Sequence, residues 1–304
     1  ALAAGDFNGD GISDLVVAHC CGDTQLGLYI GKGDGTMEPE VLDPLFSSPV
    51  NVYAQDLDGD DRLDLVTGIN STASTGAVSI LRNMRPQVGT LTLLNGASLA
   101  ETRPAPGMQA VIRANGVASE TVTAEGGPVE SLGGITVTIT DSAGKSSAAR
   151  IFSLARNEVQ ILTPEPLELG PAQIAVQSGA GDVWRKDTEV ARVSPGLLTV
   201  SKDGLARGYF VSTSASGDST VGELVTQDPD TGEFRALPLN LGPEDRTTYI
   251  VLYGTGFHGA SSLEAAQATI GGEPAAVVEI STNPDFPGLD QVRIQVPRST
   301  AGKG

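Results

Sequence analysis

The chain has 304 residues, and 37 Asp and Glu against 19 Lys and Arg give it a formal net charge of −18. That balance excludes nucleic-acid binding, which needs a basic face, and opposes adsorption to anionic membrane surfaces. Glycine (38) and proline (18) are abundant and aromatics make up 4%, while no apolar run approaches the ~20 residues that span a bilayer. The length fits two or three domains, and the composition is that of a turn-rich, secreted, all-β chain.

The first informative stretch is Asp6-Phe7-Asn8-Gly9-Asp10-Gly11-Ile12-Ser13-Asp14, which runs directly into Leu15-Val16-Val17-Ala18. Oxygen-bearing side chains recur at Asp6, Asn8, Asp10 and Asp14, and a turn on Gly9 and Gly11 points them at one centre. The Ile12 carbonyl fills the remaining even position. Asp56, Asp58, Asp60 and Asp64 repeat the offsets, with the Arg62 carbonyl in place of Ile12 and Leu65-Val66 after them. Hard cations such as calcium take six to eight oxygens of this kind. Without a cation, each like-charge pair at ~4 Å costs on the order of 1 kcal/mol even in water. Two Ca2+ sites are therefore expected, at Asp6, Asn8, Asp10, Ile12 and Asp14, and at Asp56, Asp58, Asp60, Arg62 and Asp64. An EF-hand is excluded, because its twelfth-position Glu is replaced by Val17 and Thr67 and the flanks read as strand.

Residues 5–18 and 55–68 resemble the first half of the FG-GAP or VCBS repeat, the calcium-bearing blade of integrin-type β-propellers. Residues 26–37, with the Gly33-Asp34-Gly35 turn, look like its second half; residues 76–84 match less fully, and Asp61 replaces a turn glycine. The resemblance implies two blade-like hairpin units over 1–85, with strands at Leu15–Ala18, Gly27–Ile30, Val50–Ala54, Leu65–Val66 and Ala77–Leu81. A propeller closes with four to eight blades. Either further blades precede residue 1 or these hairpins pack on the next domain or a neighbouring subunit. Adjacent Cys20 and Cys21 allow two thiols, a vicinal disulfide or a bridge to another chain; with His19 they lack the ligands of a soft-metal site.

Arg82-Asn83-Met84-Arg85-Pro86 reads as an exit linker. Beyond it, strands are expected at Gln109–Ala114, Thr121–Thr123, Gly134–Thr140, Ala148–Ala155, Val159–Leu162 and Gln173–Gln177, with a hairpin turn at Asp141–Lys145. This spacing fits an immunoglobulin-like β-sandwich over 86–198. A second copy over 199–304 repeats it. Residues 106–116 align with 246–256, Val137–Ile139 with Ala268–Ile270, and residues 159–164 with 292–297, at offsets of 133 to 140 residues. The segments Asn95–Ser98, Ser131–Val137, Ser194–Leu197, Tyr253–Gly256 and Gly271-Gly272 are similar to paired immunoglobulin-like C-terminal modules of large secreted bacterial proteins, a family that implies a fold and a location but no chemistry.

The closing strand after Pro164, Ala172–Gln177, has no counterpart after Pro297, where only Arg298–Gly304 follow. Truncation explains this, as does a strand supplied by a neighbouring molecule in a head-to-tail fibre. No Gly-x-Ser-x-Gly elbow, His-Glu-x-x-His or phosphate loop occurs. His258 reads as a plain surface histidine after a strand. Asp228–Glu233 reads as a hairpin turn, and Trp184 either as core or as a carbohydrate-stacking surface. The expected protein is non-enzymatic and extracellular or on the bacterial cell surface. It is calcium-stabilised and structural or adhesive, and it associates with itself or with matrix components, without nucleic acid or membrane insertion. The alternative is a carbohydrate- or matrix-binding module of a larger secreted protein.

Overall fold

The structure is a computed structural model, and it describes residues 1–19, 24–45, 47–60, 62–69, 76–84, 88–118, 120–201 and 204–302, apart from the Glu264 side chain. Cys20, Cys21 and Asp61 lie outside the described residues. The chain is all-β. Helix among the described residues is confined to the single-turn 3-10 segments Leu263–Ala265 and Arg298–Thr300, so no helix there is long and apolar enough to cross a membrane.

The first repeat is an antiparallel meander of β1 (Leu2–Gly5), β2 (Asp14–His19), β3 (Gln25–Tyr29) and β4 (Val41–Pro44). The second holds β5 (Tyr53–Gln55), β6 (Asp64–Ile69) and β7 (Ala77–Leu81). Side chains alternate between faces along a strand, which sends Val16 and Ala18 of β2 inward, with Leu26 and Leu28 of β3 beside them. These pack against Val52, Ala54, Leu63, Leu65 and Leu81 of the second repeat. The two repeats therefore share one core.

Residues 88–190 form two facing sheets from β8 (Val88–Thr90), β9 (Thr92–Asn95), β10 (Gln109–Arg113), β11 (Val122–Thr123), β12 (Ser131–Leu132), β13 (Ile135–Thr140), β14 (Ser146–Ala148), β15 (Arg150–Ala155), β16 (Glu158–Leu162), β17 (Gly170–Gln177) and β18 (Val183–Val190). One sheet runs β11-β15-β16-β10-β9 and the other β12-β13-β17-β18-β8, with β14 on β13. Their inner faces supply a closed core in which Ile112, Val137, Ile139, Ile161, Ile174 and Val176 are fully buried. β8 pairs in parallel with β18, and the Val88 N–H donates to the Asn8 carbonyl (3.0 Å), fastening the repeats to this sandwich.

The rest comprises β19 (Gly196–Leu197), β20 (Gly208–Ser214), β21 (Ser219–Glu223), β22 (Val225–Gln227), β23 (Phe234–Ala236), β24 (Arg246–Thr255), β25 (Ala268–Ile270), β26 (Glu273–Ala275), β27 (Val277–Thr282) and β28 (Asp290–Gln295). The main sheet runs β21-β20-β24-β28-β27, with β19 beside β24. The internal duplication holds at the level of register: Gln109 pairs with Leu162 in the first copy, and the aligned residues Tyr249 and Gln295 pair in the second. The facing layer differs. β13 is flanked by β14 and β17, but the aligned β25 pairs only with β26 among the described residues. A groove of about 550 Å³, lined by Leu197, Ile250, Phe257, Ile270, Val277 and Val292, opens there. Leu252, Val292 and Ile294 are the buried members of this second core.

Candidate cation loops

The first acidic loop, Asp6–Asp14, is folded by its own carboxylates. Asp6 Oδ1 accepts the Gly9 and Asp10 N–H groups (2.6 and 3.2 Å), and its Oδ2 accepts that of Gly11 (2.8 Å). Asn8 Oδ1 accepts the Asp10 N–H (3.0 Å), and Asp10 Oδ1 accepts the Ile12 N–H (2.8 Å). Short polar side chains that bond their own backbone two residues on are the standard makers of such turns. Gly9 and Gly11 take the left-handed values that the turn requires, φ 78° and 82°.

Asp14 stands apart from the others. It is fully buried, and its two oxygens accept the N–H groups of Phe7 and Gly31, both at 2.8 Å. It thereby ties the loop's start and the end of β3 to the start of β2. Gly31 is required here because a Cβ would run into the Ser13 carbonyl. Asp64 repeats the arrangement, accepting from Leu57 N–H (3.0 Å) and Asn83 N–H (2.8 Å), and it too is buried. Asn83 adds a bond from Nδ2 to the Phe7 carbonyl (2.9 Å), linking the second repeat to the first.

The second loop repeats the backbone pattern: Asp56 Oδ1 accepts from Gly59 and Asp60 (2.8 and 3.2 Å), and Gly59 has φ 79°. One oxygen each of Asp56, Asp58 and Asp64 lie within 4.8 Å of one another. A set of hard oxygens at that spacing has the chemistry a divalent cation takes. Asp60 turns aside, its carboxylate accepting the Arg62 N–H (2.9 Å) and Nε–H (2.8 Å). In the first loop Asp6, Asp10 and Asp14 do not converge as three; Asp10 Oδ2 instead accepts from Asn8 Nδ2 (2.8 Å).

The loops also differ in charge. Among the described residues no ion pair reaches Asp6, Asp10 or Asp14. In the second loop the Arg82 guanidinium is bonded to Asp58, Arg62 to Asp60, and Arg156 of the β15–β16 turn stands 4.0 Å from Asp56. The Arg82 hydrogen bond holds the Asp58 carboxyl below the usual carboxylate range. Arg62 also reaches Asp182 of the sandwich (3.5 Å). Arg82 and Asn83, read from the sequence as linker, thus close this loop. Their partners lie 24 and 19 residues away in the chain, beyond any local spacing rule.

Residues 6–67 match a family model described as an FG-GAP-like repeat. The match spans both acidic loops and leaves the sandwiches outside it. A comparison with curated proteins found no match to the chain. The FG-GAP-like stretch lies within the unit whose two halves share one core, to which Ala3 and Leu81 outside the match also contribute.

Other residues weighed from the sequence fall elsewhere. Trp184 is buried, and its Nε1–H donates to the Asn115 carbonyl (3.1 Å), so it offers no stacking surface. His19 Nε2 lies 2.6 Å from Glu40 Oε1. His258 is not a plain surface histidine. Its side chain is 16% exposed, with Nδ1 3.0 Å from the fully buried Asp290 and Nε2 3.9 Å from Glu165 of the first sandwich. Asp228–Glu233 forms the expected β22–β23 hairpin, closed by the Gly232 N–H on the Asp228 carbonyl (2.8 Å).

Proposed function

We propose that the chain is a non-enzymatic, extracellular or cell-surface structural protein of adhesive type. Calcium held by its two loops stiffens the FG-GAP-like unit, and the second sandwich accepts a strand from a neighbouring molecule. The observation that carries the calcium reading is the duplicated loop, in which Asp56, Asp58 and Asp64 converge. A bound cation would neutralise these carboxylates and link the loop to the start of β6; in the first loop Asp6, Asn8, Asp10 and the Ile12 carbonyl are the ligands. The FG-GAP-like match fits an extracellular, adhesion-type β-repeat protein.

The strand-acceptor reading rests on β25. In the first sandwich β17 lies against β13 and buries Ile174 and Val176 in the core. Among the described residues no strand pairs with the same edge of β25, beside its apolar groove, and an open edge is a template for β-augmentation.

The test is thermal melting of the whole chain in calcium and in chelator, followed by electron microscopy under both conditions. Binding to the folded state alone raises the melting temperature, so the expected result is a higher Tm with calcium and fibres that a peptide of sequence Ala172–Gln177 caps. An unchanged Tm removes the calcium reading. Fibres that grow regardless of the peptide remove the strand reading.

A further inference from the structure

Three of the chain's five tyrosines lie on one face of the last sandwich. Ile250 and Leu252 of β24 point into the core, so by alternation Tyr249, Val251 and Tyr253 point the other way. Tyr209 of β20 pairs with Val251, and Gln291 and Arg293 of β28 pair with Tyr253 and Val251, all on this outer face. The face is not flat. A depression of about 180 Å³, with Tyr209 and Arg293 in its wall, crosses β20, β24, β28 and β27. At the usual spacing between strands that is a run of about 14 Å. A second depression, of about 390 Å³, has Arg207, Tyr253, Asn283 and Phe286 in its lining. The two adjoin at Tyr209 and Tyr253, whose ring centroids are 6.1 Å apart with planes tilted by 44°.

The sheet does not need these rings in order to form. The first sandwich has the same strand pair in the same register, and there Gln109 and Arg113 stand at the positions of Tyr249 and Tyr253. Arg113 is ion-paired with Glu158 (2.7 Å), the counterpart of Gln291. The second copy thus has a ring and an amide where the first has a self-satisfied ion pair. Phe286, in the β27–β28 loop, adds a ring that is 61% exposed. Hydrogen-bonding capacity is left over as well. Arg293 lies 4.2 Å over the Tyr249 ring, its one ion pair among the described residues is to Glu279 at 3.9 Å, and its buried Nε–H has no partner. Buried donors are normally paired.

We propose that this trough binds a neutral polysaccharide. A sugar ring has an apolar C–H face that lies on an aromatic ring, and a rim of hydroxyls that both donate and accept. Tyrosine meets both needs with one side chain. Arg, Gln and Asn supply donors in fixed arrays, and Glu supplies acceptors. The charges match a neutral ligand. On this face Arg207 and Arg293 are balanced by Glu223, beside Tyr209, and Glu279, beside Arg293. The chain as a whole, at −18, repels a polyanion. A peptide strand finds no edge here, because β24 and β28 are hydrogen-bonded to strands on both sides. The inference goes beyond the structural reading above and needs neither calcium nor the β25 edge.

The test is isothermal titration of the whole chain with soluble mixed-linkage β-glucan, arabinoxylan and galactomannan, with polygalacturonate as the acidic comparison. The variants are Tyr253→Ala, Tyr253→Phe and Phe286→Ala. Phe286 is exposed, so its variant should keep the wild-type Tm and read binding alone. The expected result is binding of at least one neutral polymer, weakened about tenfold by Tyr253→Ala and by Phe286→Ala and largely kept by Tyr253→Phe. No binding to any of the three neutral polymers overturns the proposal, as does neutral binding that both alanine variants leave untouched. A preference for polygalacturonate overturns the neutral class and the charge argument with it.

Discussion

A guanidinium occupies one side of the second loop, and it changes what that loop can bind. Arg82 is a tethered cation on Asp58, and a free cation entering between Asp56, Asp58 and Asp64 must compete with it. The first loop has no such competitor among the described residues. Replacing Arg82 by Gln should therefore raise calcium affinity at the second site by a few-fold and leave the first unchanged. Two-site calorimetric titration reads both constants, and an affinity that stays level or falls at the second site contradicts the competition. The loop residues were legible in the sequence because their offsets are local and repeated. Arg82 was not, because its partner is brought to it by the β6–β7 pairing.

At the scale of elements, the bracketing aspartates do more than line a loop. Asp14 joins the loop's first turn, β2 and the exit of β3 through two buried N–H bonds. Leaving a buried donor unsatisfied costs about 1–3 kcal/mol, so Asp14→Ala should destabilise the protein by about 2–6 kcal/mol, twice that single cost. The loss should persist in chelator, unlike that of Asp10→Ala, whose effect on Tm should shrink once calcium is removed. Denaturant unfolding of both variants with and without chelator separates the two roles; a chelator-dependent loss for Asp14→Ala would make it a ligand first. β13 was legible from alternation, and β2, β7, β10 and β16 from short apolar β-type runs bounded by turn residues. β18 was not, because its Arg185-Lys186-Asp187-Thr188-Glu189 run shows little apolar signal, and pairing with β17 and β8 makes it a strand. β4 is exposed throughout, so burial gives it no pattern to read.

At the scale of the whole molecule, the two sandwiches meet where sequence reasoning saw only a surface histidine. Gln109 N–H donates to Thr255 Oγ1 (2.8 Å), its Nε2 donates to the Pro287 carbonyl (2.8 Å), and Asn95 Nδ2 donates to the Ser194 carbonyl (2.8 Å). Beside them is a cleft of about 560 Å³ whose lining includes His258, Glu165, Glu130, Lys145 and Arg150. The hydrogen bond from His258 to Asp290 raises the imidazole's pKa, against the opposing effect of burial, and the nearby charges of Asp290 and Glu165 add to the rise. A group whose pKa is higher in the folded state binds protons more tightly there. Its stabilisation is complete below the unfolded value of about 6.5 and is lost as pH rises through the folded value. This contribution to the folded state should therefore be greatest in mild acid and fade toward alkaline pH. Comparing Tm of the wild type and His258→Gln across this range should show a wild-type advantage at acid pH that narrows as pH rises. A difference that is constant with pH would mean that His258 contributes packing and hydrogen bonding alone, and that its charge does not stabilise the fold.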